Sequence, residues 1–171
     1  TADLTFIGDS LMPQQRLFGG QVVAQCLMAA NQTVDAELSA HSLHAYFLRA
    51  GDPATRIDFE VDPIRDGRSF STRRVVARQK GEAIFNTSIS YHREEEGVSH
   101  CLPMPEVAAP RSEADDMSSF RGFTTKPGEP NLIDLYQIER QRVTQYLAEE
   151  QAPVGQSWFR AIGPLPDDKA V

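Results

Sequence analysis

Between Gly20 and about Gln32 runs a short apolar helix without an acidic residue, and four strand-like runs follow it; that order leaves few folds open. Val22, Val23, Cys26, Leu27 and Ala30 recur at helical spacing while Gln21, Gln25 and Gln32 take another face, the pattern of a buried helix with a polar edge. Gly19 and Gly20 leave room at its start for a sheet or a ligand to come close. The first N–H groups of a helix lack intrahelical partners and carry partial positive charge, so this end suits an oxygen anion.

The runs after the helix read as strands. From His41 to Leu48, Leu43, Ala45 and Phe47 alternate with Ser42, His44 and Tyr46, and Gly51, Asp52 and Pro53 end the run in a turn. Ile57, Phe59 and Val61 alternate with Arg56, Asp58, Glu60 and Asp62, as in a sheet with one wet face. Asp66–Gly67 is a two-residue hairpin signal leading into Ser69 to Gln79, and Lys80–Gly81 is a second. Ala83, Phe85, Thr87, Ile89 and Tyr91 then share one face of a last strand. The expected fold class is α+β, a helix laid into a curled antiparallel sheet.

Composition shifts at Glu94. Residues 1–93 read as one domain, and 94–155 as a linker rich in Glu, Asp, Pro, Ser and Gly as far as Pro130. A helix is expected near 132–149, with Leu135, Val143 and Leu147 inward. Ser157 to Ile162 looks like the first strand of a further element, so 156–171 reads as the beginning of a second domain, and the start at Thr1 suggests that the true start lies upstream. A chain of 171 residues buries one substantial core. Its formal charge of −7 argues against general affinity for nucleic acid, and it has no apolar run long enough to span a membrane. Cys26 on the helix and Cys101 beside a Pro-rich segment sit in unlike contexts, which fits free thiols in a reducing, cytoplasmic compartment.

Few residues offer chemistry. There is no G-x-S-x-G elbow. His41 and His44, three apart on a strand, are expected to face opposite sides of the sheet, so no metal site is expected. His41, at the mouth of its strand beside the helix, is the weak candidate for a catalytic base; a packed, hydrogen-bonded histidine is the simpler reading. Arg73 and Arg74, in a stretch with Arg65, Arg68 and Arg78, suit a phosphate held by guanidinium forks, or equally the solvated face of a strand. Gln21 and Gln25 are either ordinary polar helix positions or donors to a substrate carbonyl.

Three ordered motifs make these residues recognisable: Phe18-Gly19-Gly20-Gln21; His41-Ser42-Leu43-His44-Ala45-Tyr46-Phe47-Leu48-Arg49; and Arg65-Asp66-Gly67-Arg68-Ser69-Phe70-Ser71 with Arg73-Arg74-Val75. Over positions 16 to 92 they resemble the amino-terminal half of acyl-CoA thioesterase II, the TesB-like family. Trp158-Phe159-Arg160 and Pro164-Leu165-Pro166-Asp167-Asp168 resemble the start of that family's second domain.

The resemblance implies half of a double hotdog, in which two helix-and-sheet units pair so that their sheets join. It implies hydrolysis of fatty acyl-CoA to free acid and CoA with no metal or organic cofactor. It places the catalytic Asp, Ser or Thr, and Gln in the second hotdog, so none is carried onto this chain, and neither Asp167 nor Asp168 stands for the missing Asp. Gly19, Gly20, Gln21, Gln25, Arg73 and Arg74 are then the candidate substrate-binding residues. Expected partners are fatty acyl-CoA, a second hotdog domain or complementary chain, and further copies in a homo-oligomer. The alternative is a hotdog module that binds acyl-CoA or CoA, or only a partner helix, without catalysis.

Overall fold

The computed structural model describes residues 4–10, 17–109, 138–142, 157–161 and 164–165. The chain divides into two compact units, one centred on Thr1–Val98 and the other on Ser99–Asp167. The first holds β1 (Thr5–Gly8), α1 (Gly19–Asn31), β2 (Leu38–Phe47), β3 (Ile57–Asp66), β4 (Phe70–Gln79) and β5 (Glu82–Arg93). The strands form one antiparallel sheet in the order β1-β3-β4-β5-β2, which leaves β1 and β2 as its edges.

The helix lies on one face of this sheet. Val22, Cys26, Ala29 and Ala30 meet Ile57, Phe59, Val61, Val75, Ala77, Phe85, Ile89 and Tyr91, a continuous buried core built from one stripe of α1 and alternate positions of three strands. Small residues on the helix let it sit close to the sheet, and the large side chains come from the strands. The other sheet face is wet, with charged pairs across strands: Asp62 lies opposite Arg74 and bonds it at 3.3 Å, while Glu60 bonds the diagonally placed Arg78 at 2.8 Å. β1 escapes sequence reading because four residues are too few for a period to show. Its pairing with β3, Phe6 opposite Phe59, makes it a strand.

The two hairpins differ. Lys80 and Gly81 have φ of 51° and 82° between the paired Gln79 and Glu82, the mirror-type turn that a two-residue hairpin requires. At Asp66–Gly67 the turn comes two residues later than the dipeptide. Asp66 pairs with Ser71, and Gly67 N–H donates to Phe70 O at 2.9 Å, so the bend falls on Arg68 and Ser69.

In the second unit, residues 99–109 carry no regular element, and β6 (Ile138–Arg142) pairs antiparallel with β7 (Ser157–Ala161). The helix expected near 132–149 is therefore corrected at its centre. Hydrogen bonds to β7 override a helical spacing drawn from only three apolar positions. The remainder of that span lies outside the described residues. Trp158 Nε1 donates to Ala108 O at 2.9 Å, tying β7 to the irregular segment.

Candidate functional site

The N-terminal end of α1 opens onto a cleft of about 410 Å³ between the helix and the segment that leaves β2. Val22, Phe47, Ile84 and Phe85 form apolar walls, and Arg49 and Gly51 form the rim. The chain folds this way because the helix starts on two glycines. A Cβ on Gly19 would lie 2.9 Å from the Phe47 ring, and one on Gly20 2.7 Å from the Phe18 ring. The glycines thus have a packing reason as well as any catalytic one. The N–H groups of Gln21 and Val22 both close on Phe18 O, at 3.1 and 3.3 Å, so Gly19 and Gly20 supply the amides at the open end of the helix. The first turn has no acidic residue.

Around this cleft the candidate residues separate. Gln21 is buried, and its Nε2 donates to Asp9 O at 2.7 Å; Gln25 Nε2 donates to the same carbonyl at 3.0 Å. Both amides clip the segment after β1 onto the helix, each with one of its two N–H donors. Gln25 Oε1 is buried with no hydrogen-bond partner among the described residues. It borders a smaller pocket of about 190 Å³ against Phe6 and Phe59.

Arg73 and Arg74 are neighbours on β4 and so face opposite ways. The Arg73 side chain is 3% exposed. Its five N–H donors have five bonds: Nε to Thr33 Oγ1, Nη1 to Arg65 O and Thr72 O, Nη2 to Thr33 O and Asp66 Oδ1. No donor remains for a phosphate. Arg73 also sits at the C-terminal end of α1, roughly 20 Å of helix away from Gly19. Arg74 lies on the wet face with Asp62.

His41 departs from expectation. The register of β2 against β5 slips between Ala40 and Ser42, a bulge with His41 as the extra residue. That slip turns His41 to the wet face, where Nε2 meets Ser90 Oγ at 2.9 Å and the ring lies 6.0 Å from both Phe70 and His92. His44 shares this face, stacking edgewise on Tyr46 at 4.8 Å. The two histidines are therefore not on opposite sides, and His41 lies across the sheet from the helix. No group of three or more His, Cys, Asp or Glu among the described residues is placed to hold a metal.

Sequence reading missed the rim residue Arg49. Its signal was present: an isolated cation directly after an apolar strand end, two residues before the Gly51-Asp52-Pro53 turn. Burial pushes the Cys26 thiol up to about 12, so this residue of α1 is inert packing and no nucleophile.

A single helix cradled by an antiparallel sheet is the hotdog fold. The family description "Acyl-CoA thioesterase N-terminal domain" matches residues 8–92. The chain is 38% identical over 141 residues to acyl-coenzyme A thioesterase 8 of Mus musculus, covering 82% of this chain and 42% of that protein. It is 36% identical over 174 residues to acyl-CoA thioesterase 2 of Haemophilus influenzae, covering 97% and 60%. Its structure is similar to that of an acyl-CoA thioesterase II from Mycobacterium marinum, with TM-score 0.72, 34% identity and coverage of 97% and 56%. The chain belongs to the TesB-like acyl-CoA thioesterase family. It spans about half the length of the curated relatives it matches. Among the described residues no helix is long and apolar enough to cross a membrane.

Proposed function

We propose that this chain is the first hotdog of a fatty acyl-CoA thioesterase and that it supplies wall and backbone donors while a second hotdog supplies the acid. The observation that carries the reading is α1, a helix whose open end faces a cleft yet has no acidic residue in its first turn. In the reaction a water oxygen attacks the thioester carbonyl carbon, the C–S bond breaks, and CoA leaves as the thiol with one proton from water. Such a step needs a group that orients the water and donors for the developing oxyanion. The amides of Gly19 and Gly20 suit the second task. α1 has no acidic residue for the first. No metal or organic cofactor enters this chemistry.

The second hotdog's place is the β2 edge. Tyr46 and Phe47 are more than half exposed there, and an edge strand presents unpaired backbone groups along its length. A second hotdog domain, a complementary chain or another copy would cover it, so light scattering at micromolar concentration should show association.

The test is hydrolysis of palmitoyl-CoA and shorter acyl-CoAs by the homogeneous 171-residue chain, alone and with the second hotdog added. Little turnover alone and recovery on addition is the expected result. Robust turnover by the chain alone would overturn the division of labour. No turnover in either case, with CoA bound in calorimetry, would favour a non-catalytic binding module.

A further inference from the structure

We infer that the cleft beside α1 is a site for an acyl chain ending in an oxyanion, with Arg49 holding the charged end and the carboxylate of a free fatty acid as the occupant it fits. Arg56, Arg73, Arg74, Arg78 and Arg93 each pair with a carboxylate, whereas Arg49 has none among the described residues. Its Nη1 donates to Ala83 O at 2.7 Å, which fixes the guanidinium and leaves the rest of its fork without a protein acceptor among the described residues. Arg65 and Arg68 also lack a carboxylate, but neither lines this cleft.

The support beneath Arg49 is rigid. Leu48 N–H and Arg49 N–H both donate to Ile84 O, at 2.9 and 3.1 Å. The buried Gln79 amide accepts from Asp52 N–H at 2.8 Å and donates to Asp52 O and Thr55 O at 2.7 and 2.6 Å, pinning the loop that follows. A cation fixed before its ligand arrives loses little freedom on binding. The walls it overlooks, Val22, Phe47, Ile84 and Phe85, offer no further charge. One guanidinium above apolar walls complements one carboxylate on an alkyl chain. The adenosine bisphosphate end of CoA, polar and several times charged, lacks partners there. The proposed thioester hydrolysis enters only in making the free acid a product; the geometry of the cleft stands without it.

The test is calorimetric titration of the 171-residue chain with dodecanoate, dodecan-1-ol and adenosine 3′,5′-bisphosphate as probes. Dodecanoate should bind more tightly than the alcohol, and the preference should shrink as salt is raised. Arg49→Gln should weaken dodecanoate about tenfold, and Arg68→Gln should leave it unchanged. Should Arg49→Gln fail to fold, the comparison of acid with alcohol on the native chain decides alone. Equal binding of acid and alcohol, no binding of dodecanoate, or Arg49-dependent binding of the bisphosphate in its place would each overturn the assignment. No turnover is read, so a chain that fails to hydrolyse acyl-CoA can still pass, and the reverse holds too.

Discussion

Arg73 and Thr33 are joined twice: the guanidinium donates from Nε to the threonine hydroxyl at 2.8 Å and from Nη2 to its carbonyl at 2.7 Å. Thr33 lies two residues past the end of α1, so the pair ties the end of the helix to the middle of the sheet. Tyr91 adds a second tie next to it, its hydroxyl donating to Asn31 Oδ1 at 2.8 Å. The opposite end of the helix, over the cleft, is held by the rings of Phe18 and Phe47 and by the amides of Gln21 and Gln25. One end of α1 is clamped by buried polar bonds, and the other is left beside open space.

Removing the clamp should therefore cost stability. Arg73→Ala strands the carbonyls of Thr33, Arg65 and Thr72 and should lower unfolding free energy by about 3 kcal/mol, read from urea denaturation. Arg73→Lys should recover only part, since one ammonium cannot copy a planar fork with five donors. Arg74→Ala, next in sequence but on the wet face with an exposed ion pair, should change stability by less than about 1 kcal/mol. Equal effects at the two positions would contradict the assignment of Arg73 as the buried member.

Alkaline pH should unfold the domain in a defined window. Burial raises the Cys26 thiol from 9.0 to about 12. Burial likewise raises the Tyr91 phenol from 10.0 to about 12, with nearby Arg73 opposing the shift. Above the ordinary values the unfolded chain releases these protons while the fold retains them, so the unfolded state binds fewer protons and stability falls as pH rises. The loss should begin near 9 and continue to about 12. With Cys26→Ala the onset should move up toward 10, where Tyr91 takes over. Urea midpoints measured from neutral pH upward give both onsets.

The two thiols should separate by access. Cys26 is 0% exposed in the core and Cys101 lies exposed in the irregular segment. A thiol reagent should label one cysteine quickly in the native protein and the second only on unfolding, with peptide mass analysis assigning the fast site to Cys101. Fast labelling of Cys26 would mean that α1 lifts from the sheet under native conditions.

Much of the first unit was legible because its strands are long and half buried, so alternation shows from Ile57 to Val61 and from Phe85 to Tyr91, and the helix shows as a stripe of small apolar residues. Elements set by pairing were not legible. β1 is four residues, and β6 falls in a segment whose spacing suggested a helix. The bulge at His41 leaves no trace in composition, yet one inserted residue reverses the face of every position on one side of it. The site divided along the same line. Gly19 and Gly20 were legible as the start of α1, while the burial of Arg73 was not, because a run of arginines does not reveal which alternate members lie inside. Arg49 was passed over because its meaning depends on the loop that Gln79 pins beneath it.

His41 provides the sharpest check on that lesson. Because the bulge places it on the wet face, its imidazole is separated from the cleft by the sheet itself, and α1 packs on the opposite side against β3, β4 and β5. His41→Ala, introduced into the chain and assayed with the second hotdog supplied, should then leave kcat/KM for acyl-CoA essentially unchanged. Its stability cost should be small, about 0.5–1 kcal/mol for one exposed hydrogen bond to Ser90. A general base contributes about a hundredfold or more to the rate, so a loss of that size would place His41 in the mechanism. Ser90→Ala separates the two explanations: it removes the same hydrogen bond without touching the imidazole, and a structural role predicts that both variants behave alike.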